Sequence, residues 1–133
     1  RGNGATPPGE SPPPQPPGND VEEPEPAGRV TLAAAPVRTE AGATMTLTLT
    51  NGSNRRIGYN LCTSAILNAS GTEVRTGRVC TMELRTLRPG RSTNYSYELP
   101  ARIDNGRYRF LTQVERIGSG RRNGIRSNRF AAR

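Results

Sequence analysis

Cys62 and Cys80 are the only thiols in the chain, and seventeen residues lie between them. A thiol–disulfide redox site wants its resolving thiol in a C-x-x-C spacing, which these two do not have. A zinc site needs four ligands, or three and a water, and the chain offers no His and no second cysteine pair. A cysteine nucleophile needs a general base, commonly His, and none is present. Two readings remain, a disulfide or a pair of buried free thiols, and the disulfide is the expectation. It would join the end of the third strand to a strand starting at Thr81 and close the hairpin between them. Closing a loop of that size stabilises by ~3 kcal/mol in the chain-entropy model. Such a bond implies an oxidising compartment: periplasm, cell surface or outside the cell.

Acid–base catalysis needs titratable groups that converge. After residue 27 the carboxylates are Glu40, Glu73, Glu83, Glu98, Asp104 and Glu115, all isolated in sequence. Glu83 and Glu98 could meet across strands, but salt bridges to the many arginines account for them better. The "GSG" at 118–120 does not sit between a strand and a helix, so a hairpin turn explains it better than a phosphate loop. No enzyme, cofactor or metal site is expected.

The 19 basic residues are all Arg, and the net charge of +8 is unevenly spread. Residues 1–27 hold Arg1 against Glu10, Asp20, Glu22, Glu23 and Glu25, a net of −4; residues 28–133 hold 18 Arg against six acids, a net of +12. The arginines are scattered apart from Arg55-Arg56 and Arg121-Arg122, without zinc-finger, RNP or helix-turn-helix patterns. Anionic lipid or protein surfaces are therefore expected ahead of nucleic acid. The final hairpin, "RRNGIRSNR" at 121–129, concentrates charge, and Arg121, Arg122, Arg126 and Arg129 are the expected partner contacts.

The elements that must position these residues divide the chain near residue 27. Nine of the twelve prolines fall in 1–27 with Val21 as the one large aliphatic residue, so this segment reads as an extended or disordered arm. In polyproline geometry it could reach ~80 Å. The chain opens on Arg1 rather than Met, from which a removed or missing N-terminal anchor is expected. No run of apolar residues is long enough for a transmembrane helix.

From residue 28 onward the apolar period is two. Strands are expected at 29–35, 43–51, 56–62, 64–69, 72–77, 81–87, 92–99, 107–115 and 125–132, with a hairpin loop at 118–124. In the second, Met45, Leu47 and Leu49 face one side and the threonines the other. Tyr95, Tyr97, Tyr108 and Phe110 belong to the core rather than to a ligand platform. Seven to nine short strands with regular turn signals predict an all-β, immunoglobulin-like antiparallel sandwich over 28–133.

The stretches "VTLAAAPVRTEAGATMTLTLTNGSNRRIGYNLCTSAIL", "GRVCTMELRTLRPGRSTNYSYELP", "NGRYRFLTQV" and "IRSNRF" together resemble bacterial immunoglobulin-like domains of envelope proteins and lipoproteins. The shared elements fall on Leu49 to Ser53, Gly58 to Cys62, Cys80 to Leu84, Leu87 to Gly90, Tyr95 to Pro100, Gly106 to Phe110 and Ser127 to Phe130. The likeness spans about 29–131 and is specific for fold and compartment rather than function. A looser similarity to the intracellular proteinase-inhibitor family of bacilli is opposed by the cysteine pair and the envelope-like arm. The resemblance implies a spacer, adhesion module or accessory subunit of the periplasm or cell surface. The acidic proline-rich arm and the basic hairpin at 121–129, both suited to wrapping a partner, make a non-catalytic accessory subunit docking on a larger membrane-associated complex the expectation. A β-sandwich protease inhibitor and a module binding nucleic acid or another anionic polymer are the alternatives.

Overall fold

The computed structural model describes residues 29–133; the arm expected over 1–27 lies outside the described residues. Eleven strands follow one another: β1 (Val30–Ala35), β2 (Arg38–Thr39), β3 (Thr44–Asn51), β4 (Ile57–Tyr59), β5 (Ala65–Leu67), β6 (Glu73–Val74), β7 (Arg85–Leu87), β8 (Ser92–Glu98), β9 (Gly106–Arg116), β10 (Arg121–Arg126) and β11 (Phe130–Ala132). A single 3-10 turn at Leu61–Thr63 is the helical element among them. No helix among the described residues is long and apolar enough to cross a membrane.

The strands form two sheets, as an immunoglobulin-like sandwich requires. One has the order β1-β3-β8; the other runs β2-β11-β9-β4-β7, with β10 and β5 also pairing β9 and β6 pairing β5. Alternation decides what each strand buries. On β3, Met45, Leu47 and Leu49 are wholly buried while Thr44, Thr46, Thr48 and Thr50 point outward. On β9 the buried set is Tyr108, Phe110, Thr112 and Val114. Between the sheets, Tyr97 meets Phe110 edge-on with centroids 4.8 Å apart, and Phe110 stacks on Phe130 at 5.2 Å. The aromatic residues read as core are core, with Tyr95 half-buried at the margin.

Four expectations change. The sandwich is not wholly antiparallel, because β2 pairs in parallel with β11, Ala131 against Arg38. The last strand is not continuous. Asn128 turns its side chain to β1, accepting from Ala34 N at 2.8 Å and donating to Ala34 O at 3.1 Å, and this separates β10 from β11. The hairpin loop is shorter than 118–124: Ile117–Gly120 make the turn and β10 begins at Arg121. The strand expected over 81–87 exists only as Arg85–Leu87.

The register explains that last shortening. Both β4 and β5 lie along β9, with Ile57 opposite Arg116 and Leu67 opposite Arg109. The span 57–67 is ten steps against seven on β9, a surplus of three taken up by the 3-10 turn at Leu61–Thr63. On the other side, β6 pairs β5 and β7 pairs β4, Leu67 with Glu73 and Ile57 with Leu87. There fourteen steps face ten, a surplus of four, carried by the ten unpaired residues 75–84 opposite the six residues 60–65. β4–β5, β6–β7 and β10–β11 each follow one interrupted line, so the eleven strands occupy eight lines.

Asn51, wholly buried at the end of β3, ties the sheets together. Its amide donates to Arg55 O at 2.7 Å and to Leu87 O of β7 at 3.0 Å. Its Oδ1 accepts from Ser53 N at 3.0 Å and Ser53 Oγ at 2.6 Å. Asn51→Leu keeps the bulk but strips these partners. It should lower the unfolding free energy by about 2–4 kcal/mol, since each buried group left unpaired costs about 1–3. Urea unfolding reads this directly, and an unchanged midpoint would remove Asn51 from its bridging role.

Candidate functional site

The segment 75–84 leaves the sheet where β4 gives way to β5, and four attachments fix it. Cys80 is bonded to Cys62, with Cα atoms 5.9 Å apart, so the expected staple is present. It joins the 3-10 turn to the unpaired segment rather than to a strand. Asn60 caps that turn by accepting from Cys62 N at 3.2 Å. The same side chain donates from Nδ2 to Thr81 O at 2.7 Å.

Arg78 holds the upstream end. Its Nη2 donates to Tyr95 Oη at 2.8 Å, its Nε to Cys62 O at 3.3 Å and its Nη1 to Glu98 O at 3.4 Å. The guanidinium carbon lies 3.9 Å from the Tyr97 ring centroid. Beneath it, Tyr97 donates from its hydroxyl to Ser64 O at 2.9 Å. Burial raises the Tyr97 pKa above 10.0, with the Arg78 charge pulling the other way. Leu84 holds the downstream end over Gly58: a Cβ added there would lie 2.7 Å from Leu84 Cδ2 and 3.3 Å from Ile117 Cδ1. Only glycine lets Leu84 seat so closely.

What lies between these attachments faces water. Val79 is 96% exposed and Met82 87%, the two most exposed large apolar side chains among the described residues. Among the described residues, the backbone of Val79–Leu84 makes no backbone–backbone hydrogen bond. The result is a pinned segment outside the sheet ladders with an apolar crest. Sequence reasoning missed Val79 and Met82 by reading 81–87 as a strand. A signal was available: stepping back by two from the buried Leu87 gives Arg85, Glu83 and Thr81, all polar, so the alternation of a half-buried strand fails there.

The arginines expected to act together are split. Arg126 and Arg129 line a cavity of about 260 Å³ with Arg107 and Arg109 of β9 and the Asn68–Gly71 turn. Arg121 and Arg122 stand at the far end of β10, where Arg122 Nε lies 3.8 Å from Glu115 Oε1. At 72% side-chain exposure for Arg122, that pair adds little stability. Glu83 and Glu98 do not meet across neighbouring strands, because Glu83 rides on the unpaired segment and Glu98 pairs with Thr44 in the other sheet.

Arg78→Met should keep the aliphatic packing and lose the fork of hydrogen bonds. A loss of about 1–3 kcal/mol in thermal or urea unfolding is expected. Arg78→Lys should not restore it, because an ammonium cannot span three acceptors. Parent-like stability in Arg78→Met would contradict this anchoring.

No family model matches the chain, and no curated protein matches it. Among solved structures, the X-ray structure of Northeast Structural Genomics Consortium target SoR45 is similar over 77% of this chain and 81% of that one, with 14% identity and a TM-score of 0.44. A likeness at that level carries no argument about what this chain does.

Proposed function

We propose that this chain is a non-catalytic protein-interaction module of an oxidising compartment, an accessory unit that docks on a larger protein through the segment 75–84. One observation carries the reading: a segment tied by a disulfide, by Asn60 and by Arg78 nevertheless turns Val79 and Met82 into water. Exposed large apolar side chains on a pre-organised scaffold suit recognition, since little ordering entropy remains to be lost on binding.

A periplasmic or surface location goes with this reading, because the bond between Cys62 and Cys80 forms and persists there. The proline-rich composition of residues 1–27 suits a tether to a membrane-associated partner, in line with the resemblance to bacterial immunoglobulin-like envelope domains. The arginine-lined cavity favours a second reading, recognition of an anionic polymer or anionic surface by Arg107, Arg109, Arg126 and Arg129.

Immobilised full chain and a Val79→Asp/Met82→Asp variant, each exposed to envelope extract of the native host, separate these readings. A defined protein held by the parent and lost with the variant is expected. The same protein held by both and released by salt would transfer the docking face to the arginine cavity. Nothing specific on either would overturn the module reading.

A further inference from the structure

We propose that the arginine-lined cavity on the outer face of β9 is a binding site for a diphosphate group. The inference rests on the second reading above, recognition of anions by this cavity, and names the chemical group. A β-bulge assembles the site. Arg126 pairs with Leu111 and Phe130 with Tyr108, so four steps on the β10–β11 line face three on β9. Asn128 and Arg129 therefore oppose the single Arg109, and a bulge of this kind re-aims a side chain. Without the extra residue, Arg126 and Arg129, three apart, would stand on opposite faces of the sheet. With it, Asn128 turns to Ala34, and Arg129 lines one cavity with Arg126, Arg107 and Arg109. Across β9, the Asn68–Gly71 turn follows Leu67, which pairs with Arg109, and closes the other side.

Charge decides what the cavity takes. Among the described residues no carboxylate lines it, and residues 28–133, with 18 Arg against six acids, carry a net +12 that draws anions in. Among the described residues, no hydrogen bond or ion pair occupies the guanidinium of Arg107, Arg126 or Arg129. Arg109, engaged in an interaction of its own, completes the wall. Three positive charges are thus left to a ligand. A carboxylate carries one charge and takes one guanidinium fork. A terminal phosphate carries about −1.5 to −2 at pH 7, and the inner phosphate of a diphosphate ester brings the total to about −3. That matches three guanidiniums, each able to fork onto two phosphate oxygens. The volume of about 260 Å³ falls below the roughly 300–1,000 Å³ of drug-sized pockets, so the cavity takes the diphosphate head and leaves the esterified chain outside. That chain belongs to a soluble ester or to a lipid.

The test is calorimetric titration of the full oxidised chain with inorganic pyrophosphate, orthophosphate and sulfate. Pyrophosphate should bind one to one and ~10-fold or more tightly than either smaller anion, since it adds at least one charge-assisted hydrogen bond. Arg107→Ala/Arg129→Ala should weaken it by ~100-fold. Both positions are exposed, so the fold is kept. The charge-matched Arg121→Ala/Arg122→Ala should leave it within about twofold: Arg122 lies about 13 Å along β10 from Arg126, beyond the ~8 Å Debye length at physiological salt. Equal losses in the two variants would assign binding to overall charge and overturn the site. A preference for sulfate, or no saturable pyrophosphate binding, would overturn the diphosphate. Phosphatidylcholine vesicles doped with a prenyl diphosphate, against the same vesicles doped with phosphatidylglycerol, separate the sources. Preference for the former assigns a lipid headgroup; equal binding, with pyrophosphate bound in solution, assigns a soluble ester. If pyrophosphate fails but phosphatidylglycerol vesicles are held and are lost with Arg107→Ala/Arg129→Ala, the anionic-surface reading survives; if they are not held, both fall.

Discussion

A mismatch of register between neighbouring strand lines governs this molecule. Ten steps on the β4–β5 line face seven on β9, and fourteen on the β6–β7 line face ten on β4–β5. Each surplus must leave the sheet, the first as the 3-10 turn at Leu61–Thr63 and the second as residues 75–84. Two bulges at one place would leave unsatisfied backbone and frayed pairing. The Cys62–Cys80 bond joins one bulge to the other, and Asn60 serves both by capping the first and holding Thr81 of the second. The disulfide therefore does more than shorten the unfolded chain: it determines where a sheet edge stops and an exposed loop begins.

Around this region the core is ordinary and the polar ties are specific. Tyr97, Phe110 and Phe130 fill the space between the sheets, and the residues that could let the sheets slide are bonded across them. Asn51 reaches β7 from β3, Asn128 reaches β1 from the β10–β11 link, and Arg78 spans Cys62, Tyr95 and Glu98. The arginine excess sits mostly at exposed positions of the pleat, where solvent screens its repulsion. Arg78, half-buried as are Arg29, Arg109 and Arg116, lies over an aromatic ring, where a planar and weakly hydrated guanidinium is tolerated.

Strands with strict alternation were legible in the sequence. Thr44–Asn51, Ser92–Glu98 and Gly106–Arg116 follow their expected spans within a residue, because burial of one face sets their phase. The disulfide was legible by elimination. Where side chains rather than periodicity end a strand, the reading failed. Asn60 stops β4 by capping the following turn, and Asn128 interrupts the last strand by bonding Ala34 ninety-four residues away. The parallel pairing of β2 with β11 depends on where the chain crosses between sheets after Pro36, which no local pattern announces. The arginine group was half legible: Arg126 and Arg129 come together, but with Arg107 and Arg109, which alternation on β9 places beside them.

Residues 79–83 should be rigid without being hydrogen-bonded into a sheet, a combination that backbone ¹⁵N relaxation reads out. In the oxidised protein the amides of Val79–Glu83 should show order parameters near those of the strands, about 0.85. The same amides should exchange with solvent rapidly, because they lack backbone partners. Values below about 0.6 for these amides, with rigid strands on either side, would contradict the account. The segment would then be an ordinary mobile loop, and its exposed methionine would carry no presented geometry.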